Sequence, residues 1–99
     1  MFLEEKEVLR EVEGVEYKYI YKLMESEYNN TKVYGIEVVK GNFNNGKLLT
    51  TESDSVRLIS PKLDKVRSML ETLYNGIVSP IHLIDIIGEQ VDKCVIDFN

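Results

Sequence analysis

The run Val15-Glu16-Tyr17-Lys18-Tyr19-Ile20-Tyr21-Lys22-Leu23 alternates in side-chain character except at Ile20, which leaves little choice of secondary structure. Successive side chains of a strand point to opposite faces, so Val15, Tyr17, Tyr19, Tyr21 and Leu23 share one face. A helix would scatter the same residues around its circumference. Turn signals bracket the run, Glu13-Gly14 before it and Asn29-Asn30 after it. Connections this short join antiparallel neighbours, because a parallel return needs a long crossover.

The flanking segments read the same way. Lys6 to Val12 alternates loosely, and Lys32 to Lys40 places Tyr34, Ile36 and Val38 on one face. Asn42 to Gly46 is a turn cluster. A fourth strand runs from Lys47 to Thr51 and resumes at Val56-Arg57-Leu58-Ile59. Residues 1–59 are therefore expected to form an antiparallel meander of three to four strands.

From residue 60 the pattern changes to a helical period, and Ser60-Pro61 and Ser79-Pro80 open the two segments alike. Serine caps a free N–H of a first turn, and proline at the first helical position loses no helical hydrogen bond. Leu63, Val66, Leu70, Leu73 and Tyr74 line one side of the first helix, which Asn75-Gly76 ends. The second helix gathers Leu83, Ile84, Ile87, Val91, Cys94 and Val95 on one side. Its other side carries His82, Asp85, Glu89, Asp92 and Lys93, with Ile86 among them. Gly88 costs about 1 kcal/mol relative to Ala inside a helix, and close approach of the first helix or a strand is the expected reason for it. Two amphipathic helices must cover one face of the sheet. The expected fold is α+β, a sheet of three to four antiparallel strands followed by two C-terminal helices packed on one face. The 99 residues read as a single domain, with the meander in 1–59 and the two-helix segment in 60–99.

Several function classes are disfavoured by composition. The net charge of −5 is uneven: residues 1–16 carry −4, residues 17–76 carry +2 and residues 77–99 carry −3. No block of Lys and Arg is dense enough to track a phosphate backbone, so direct nucleic-acid binding is not expected. No apolar run is long enough for a membrane span, and the acidic N-terminus does not resemble a signal peptide. The lone Cys94 has no internal disulfide partner, which points to a cytoplasmic protein.

The only histidine, His82, shares a helical face with Asp85 and Glu89, the kind of trio that orients a base or binds a divalent metal. The pattern has no second histidine and no further ligand at a telling distance. Cys94 lies twelve positions from His82, about 18 Å along one helix, too far for a nucleophile–base pair. Phosphate loops, nucleophile elbows and paired cysteines are missing from the sequence. The reading is a non-enzymatic chain without a cofactor, its metal-binding alternative resting on the His82 face alone. The tyrosine stripe could stack bases, but it lies on the face the helices must cover, while Lys18 and Lys22 point the other way.

Two surfaces remain as candidates for contact with a partner. One is the outward side of the last helix, with His82, Asp85, Ile86 and Glu89. The other is the free sheet face, where Ile20 and Met24 lie near Val33 and Val39.

The stretches Tyr17 to Leu23, Val33 to Val38, Asp54-Ser55-Val56 with Ile59-Ser60-Pro61, and Val78 to Glu89 together resemble a family of short proteins from Firmicutes, chiefly clostridia, of unknown function. The resemblance implies a bacterial cytoplasmic protein and supplies no catalytic residue to carry over. The expected function is a protein-binding or regulatory module, its partner another protein or a second copy of itself. An acidic mobile-element or phage inhibitor of a nucleic-acid-binding protein is the alternative.

Overall fold

A computed structural model describes residues 1–98. Four strands, β1 (Phe2–Val12), β2 (Val15–Tyr28), β3 (Thr31–Asn44) and β4 (Lys47–Ser60), form one antiparallel sheet in sequence order. Helix α1 (Leu63–Asn75) follows. A 3-10 turn (Pro80–His82) then leads into α2 (Leu83–Lys93), and a second 3-10 turn (Cys94–Phe98) closes the described chain. The α+β meander with two C-terminal helices is the architecture the sequence indicates.

All three hairpin loops are two residues long, with both residues at positive φ: Glu13-Gly14, Asn29-Asn30 and Asn45-Gly46. That backbone matches the twist of the flanking strands, which is why Asn and Gly dominate such turns. Short loops fix the register where each hairpin begins. Val12 pairs with Val15, Tyr28 with Thr31, and every pairing back along β2 and β3 follows without interruption.

The fourth strand is continuous, not broken as the sequence suggests. Its register against β3 shifts twice: once between Asn42 and Phe43, and once at a bulge where Ile36 pairs with Val56 and Tyr34 with Ser60, so β4 spends two more residues than β3 over that second span. The surplus backbone crosses the sheet at Gly35, where a Cβ would collide with the carbonyl groups of Val56 and Arg57.

The core lies between the sheet and the helices. Tyr19, Tyr21, Leu23, Ile36, Val38 and Ile59 face Val66, Met69, Leu70, Leu73, Leu83, Ile87 and Cys94. Tyr21 sits at its centre, donating its hydroxyl to the Val78 carbonyl at 2.9 Å and meeting the Tyr74 ring edge-on at 6.1 Å. Burial raises the Tyr21 phenol above its ordinary pKa, so the neutral donor is the form that persists.

Both Ser-Pro openings act differently from simple caps. Helix α1 starts at Leu63, and the completely buried Ser60 lies before it. Its hydroxyl accepts from the Lys62 N–H at 3.0 Å and donates to Asp97 at 2.8 Å. Asp97 also takes the Lys65 ammonium at 2.9 Å, and Lys65 and Ser60 hold its carboxyl down at about 2. The final turn is thereby latched to the start of α1. Ser79 makes no side-chain cap, and the Pro80 that follows begins a 3-10 turn. At the end of α1 the left-handed residue is Ile77, not Gly76. Val78 N–H reaches Leu73 O at 3.1 Å and Ile77 N–H reaches Tyr74 O at 3.2 Å, the Schellman pair of bonds.

Strand and helix lengths decide what remains bare. A 14-residue strand spans about 47 Å, whereas the 13 residues of α1 span about 20 Å. The molecule is accordingly 49 Å long and only 24 Å by 17 Å across. The helices cover the end of the sheet around Leu23 and Ile36 and stop short of the other end.

Candidate functional site

The outward side of α2 is built as the sequence indicates for four residues and differs at three others. His82, Asp85, Ile86 and Glu89 are all exposed. His82 Nδ1 lies 3.5 Å from Asp85 Oδ2, and Glu89 pairs with Lys93 at 3.4 Å. These are solvated contacts one helical turn apart. Among the described residues no group of three His, Cys, Asp or Glu side chains converges as a metal would require. Cys94 is buried in the core, and desolvation pushes its thiol up, away from the thiolate a nucleophile needs.

The differences concern Ile84, Val95 and Gly88. Ile84 and Val95 belong to the expected apolar arc but stand in solvent, because only Leu83, Ile87 and Cys94 are buried, with Val91 at the margin. Including the flanking turns, Ile81 (70% exposed), Ile84 (53%), Ile86 (44%), Val95 (63%) and Ile96 (72%) are all uncovered. Ile84, Gly88 and Val95 fall on one stripe that Ile81 extends at its start, while Ile86 lies on the opposite flank. Gly88 serves no close approach: a Cβ there meets only the Ile84 Cγ2 of its own helix, at 3.3 Å. That side chain is exposed and free to give way. Gly88→Ala should therefore stabilise the protein by about 0.5–1 kcal/mol through helix propensity, measurable as a raised urea midpoint with unchanged slope. A lowered midpoint would show a neighbour against α2 that the fold does not contain.

On the free sheet face Ile20, Met24 and Val39 are half-buried, not open. Lys18 pairs with Glu7 and Lys22 with Glu37 at 3.5 Å, and the Lys22 ammonium lies 4.6 Å from the Phe2 ring centroid. Cross-strand pairs thus break the apolar surface into pieces. Val33 is a correction: it is completely buried. It shares this face with Gly35, two residues on, and the β4 bulge folds over that corner of the sheet.

A third feature escaped the sequence reading. On the helix side of the sheet, at the margin of the core, two rows of cross-strand partners are only partly covered. One row is Val8, Tyr19, Lys40 and Glu52; the next is Arg10, Tyr17, Asn42 and Thr50. Arg10, Val12, Tyr17, Tyr19 and Lys40 line a recess of about 210 Å³ there. Lys40 Nζ lies 5.1 Å from the Tyr17 ring centroid and 5.6 Å from that of Tyr19. The tyrosine stripe is therefore only half core: Tyr21 and Tyr19 are buried, while Tyr17 borders the recess. A larger groove of about 460 Å³ runs between α1 and α2 over Met69 and Cys94, with Asp64, Lys65 and Lys93 on its rim.

The fold and these surfaces define a small α+β domain with an elongated sheet and a helix that shows aliphatic side chains to solvent. The chain belongs to the family of unknown function DUF6514, whose model matches residues 1–93. Comparison with curated proteins and with solved structures finds no match. No helix among the described residues is long and apolar enough to cross a membrane.

Proposed function

We propose that this is a non-enzymatic protein-binding module of the bacterial cytoplasm whose docking surface is the outer stripe of α2. One observation carries the reading: Ile81 in the turn before α2, Ile84 in α2 and Val95 in the turn after it are each more than half exposed, while from Ile81 to Val95 only Leu83, Ile87 and Cys94 are buried. Isolated exposed aliphatics need no cause, but a run of them along α2 and its two flanking turns marks a surface that is covered in use. Asp85, Asp92 and Glu89 follow the stripe around the helix, and residues 77–99 carry −3. The partner is accordingly a protein that presents an aliphatic ridge with basic residues beside it. Gly88 leaves a flat spot in the stripe where that ridge comes closest.

The test is affinity capture from the native host with the wild type and an Ile81→Asp/Ile84→Glu double variant. The wild type should retain a protein in stoichiometric yield, less of it as salt is raised, and the variant should lose it while keeping the wild-type melting temperature. Retention of the same proteins by both chains would remove the stripe from consideration.

A further inference from the structure

The recess at the bare end of the sheet carries an inference independent of α2. Among the described residues, eight of the twelve Lys and Arg side chains make ion pairs. Arg10, Lys40, Lys47 and Arg57 do not, and two of these four, Arg10 and Lys40, line one recess together with two tyrosines. Cations on a strongly acidic protein ordinarily find carboxylates; Glu52, cross-strand from Lys40, forms no pair with it. Lys40 rests instead against the rings of Tyr17 and Tyr19. Behind it on the same face of β3, Asn42 donates to Thr50 Oγ1 at 2.7 Å, and its Oδ1 is buried with no donor among the described residues. A buried acceptor left unpaired costs about 1–3 kcal/mol, so stability alone would favour an apolar side chain at position 42.

The geometry points to this recess as a binding site for a small phosphate monoester, its phosphate taken by Arg10 and Lys40 and its hydroxyl groups by the tyrosine hydroxyls and Asn42. A planar guanidinium and a mobile ammonium together match the three terminal oxygens of a phosphate. Lys40 needs only to swing from the tyrosine rings onto the anion. Asn42 stands cross-strand from Tyr17 at the edge of the recess, where its Oδ1 accepts from a ligand hydroxyl. A nucleic-acid strand is not served equally well, because the recess offers two cations and no row of them that would track a phosphate backbone.

The experiment is a heteronuclear NMR titration of the full chain with inorganic phosphate, with glycerol phosphate and with acetate. Glycerol phosphate should give saturable shifts confined to the strand segments around Arg10, Tyr17, Tyr19 and Lys40, at lower concentration than inorganic phosphate. Lys40→Gln and Arg10→Gln should each weaken both by about tenfold, the loss of one charge-assisted hydrogen bond. Asn42→Leu should weaken glycerol phosphate and leave inorganic phosphate unchanged. Shifts that never saturate, that acetate reproduces, or that persist in Lys40→Gln overturn the assignment. Both charge variants alter surface groups, so an unchanged melting temperature shows that each is folded.

Discussion

Gly35→Ala should cost about 3 kcal/mol or more, lowering the melting midpoint by roughly 15 °C, although alanine is ordinarily the better residue in an extended strand. The reason is local. An ideal Cβ at position 35 would lie 2.5 Å from the Arg57 carbonyl carbon and closer still to the carbonyl oxygens of Val56 and Arg57. These are backbone atoms of a bulge, held on one side by the Ile36–Val56 pairing and on the other by Tyr34–Ser60. They cannot rotate away as a side chain would. Relief requires the bulge to lift, which would expose Val33 and disturb Ser60, both completely buried. Ser60 in turn holds Lys62 and Asp97, so the strain reaches the start of α1 and the final turn. Urea unfolding followed by circular dichroism measures the effect. A loss below about 1 kcal/mol would mean that β4 does not cross Gly35. The same substitution at Gly88 carries the opposite expected sign, which isolates the cause as the neighbour and not the residue.

Much of this fold was legible because three of its determinants are local. Alternation from Val15 to Leu23 identifies a strand and its faces, two-residue turns set antiparallel order, and the change of period after residue 60 announces helices. What escaped was non-local. The β4 bulge has no signature of its own: Glu52 to Ser55 read as an interruption, yet the strand runs through them. Val33 seemed to lie open on the free face because alternation says which way a side chain points and not what another strand lays over it. Gly76 is the residue that should end α1, but Ile77 takes the left-handed position, since its side chain packs on the core while Leu73 and Tyr74 accept its turn's bonds. Ile84 and Val95 count as core on any helical projection. Whether an apolar face is covered depends on how far the sheet extends beneath it.

The recess was within reach of the sequence and needed one more step. With Glu13-Gly14 as a two-residue turn, Arg10 must oppose Tyr17; with Asn29-Asn30 as another, Tyr17 must oppose Asn42 and Tyr19 must oppose Lys40. Reading cations only along the strand of the tyrosines finds Lys18 and Lys22, which point away. Reading across strands finds Lys40 and Arg10. That the helices cover those rows only in part follows from length alone, because a strand advances more than twice as far per residue as a helix.

Tyr21 is where sheet, first helix and the link between helices meet, and its truncation has the second large expected effect. Tyr21→Ala should cost about 4 kcal/mol, the loss on emptying an aromatic from a closed core. Tyr21→Phe should cost only about 1 kcal/mol, the net worth of one hydrogen bond. The two values separate distinct roles. Phenylalanine keeps the fully buried ring and its edge contact with Tyr74, but leaves the Val78 carbonyl without the donor it now receives at 2.9 Å. Val78 is also fixed through its N–H to Leu73, so the Tyr21 hydroxyl is the second of two ties on the residue that turns the chain from α1 into the Pro80 turn. Losing it should loosen that turn and α2 without unfolding the sheet. Hydrogen exchange would then show faster amides from Leu83 to Lys93 in Tyr21→Phe, with β2 and β3 protected as in the wild type. Uniformly faster exchange in every element would instead mean that the hydroxyl supports the whole core, and that the α1-to-α2 link is not tied separately.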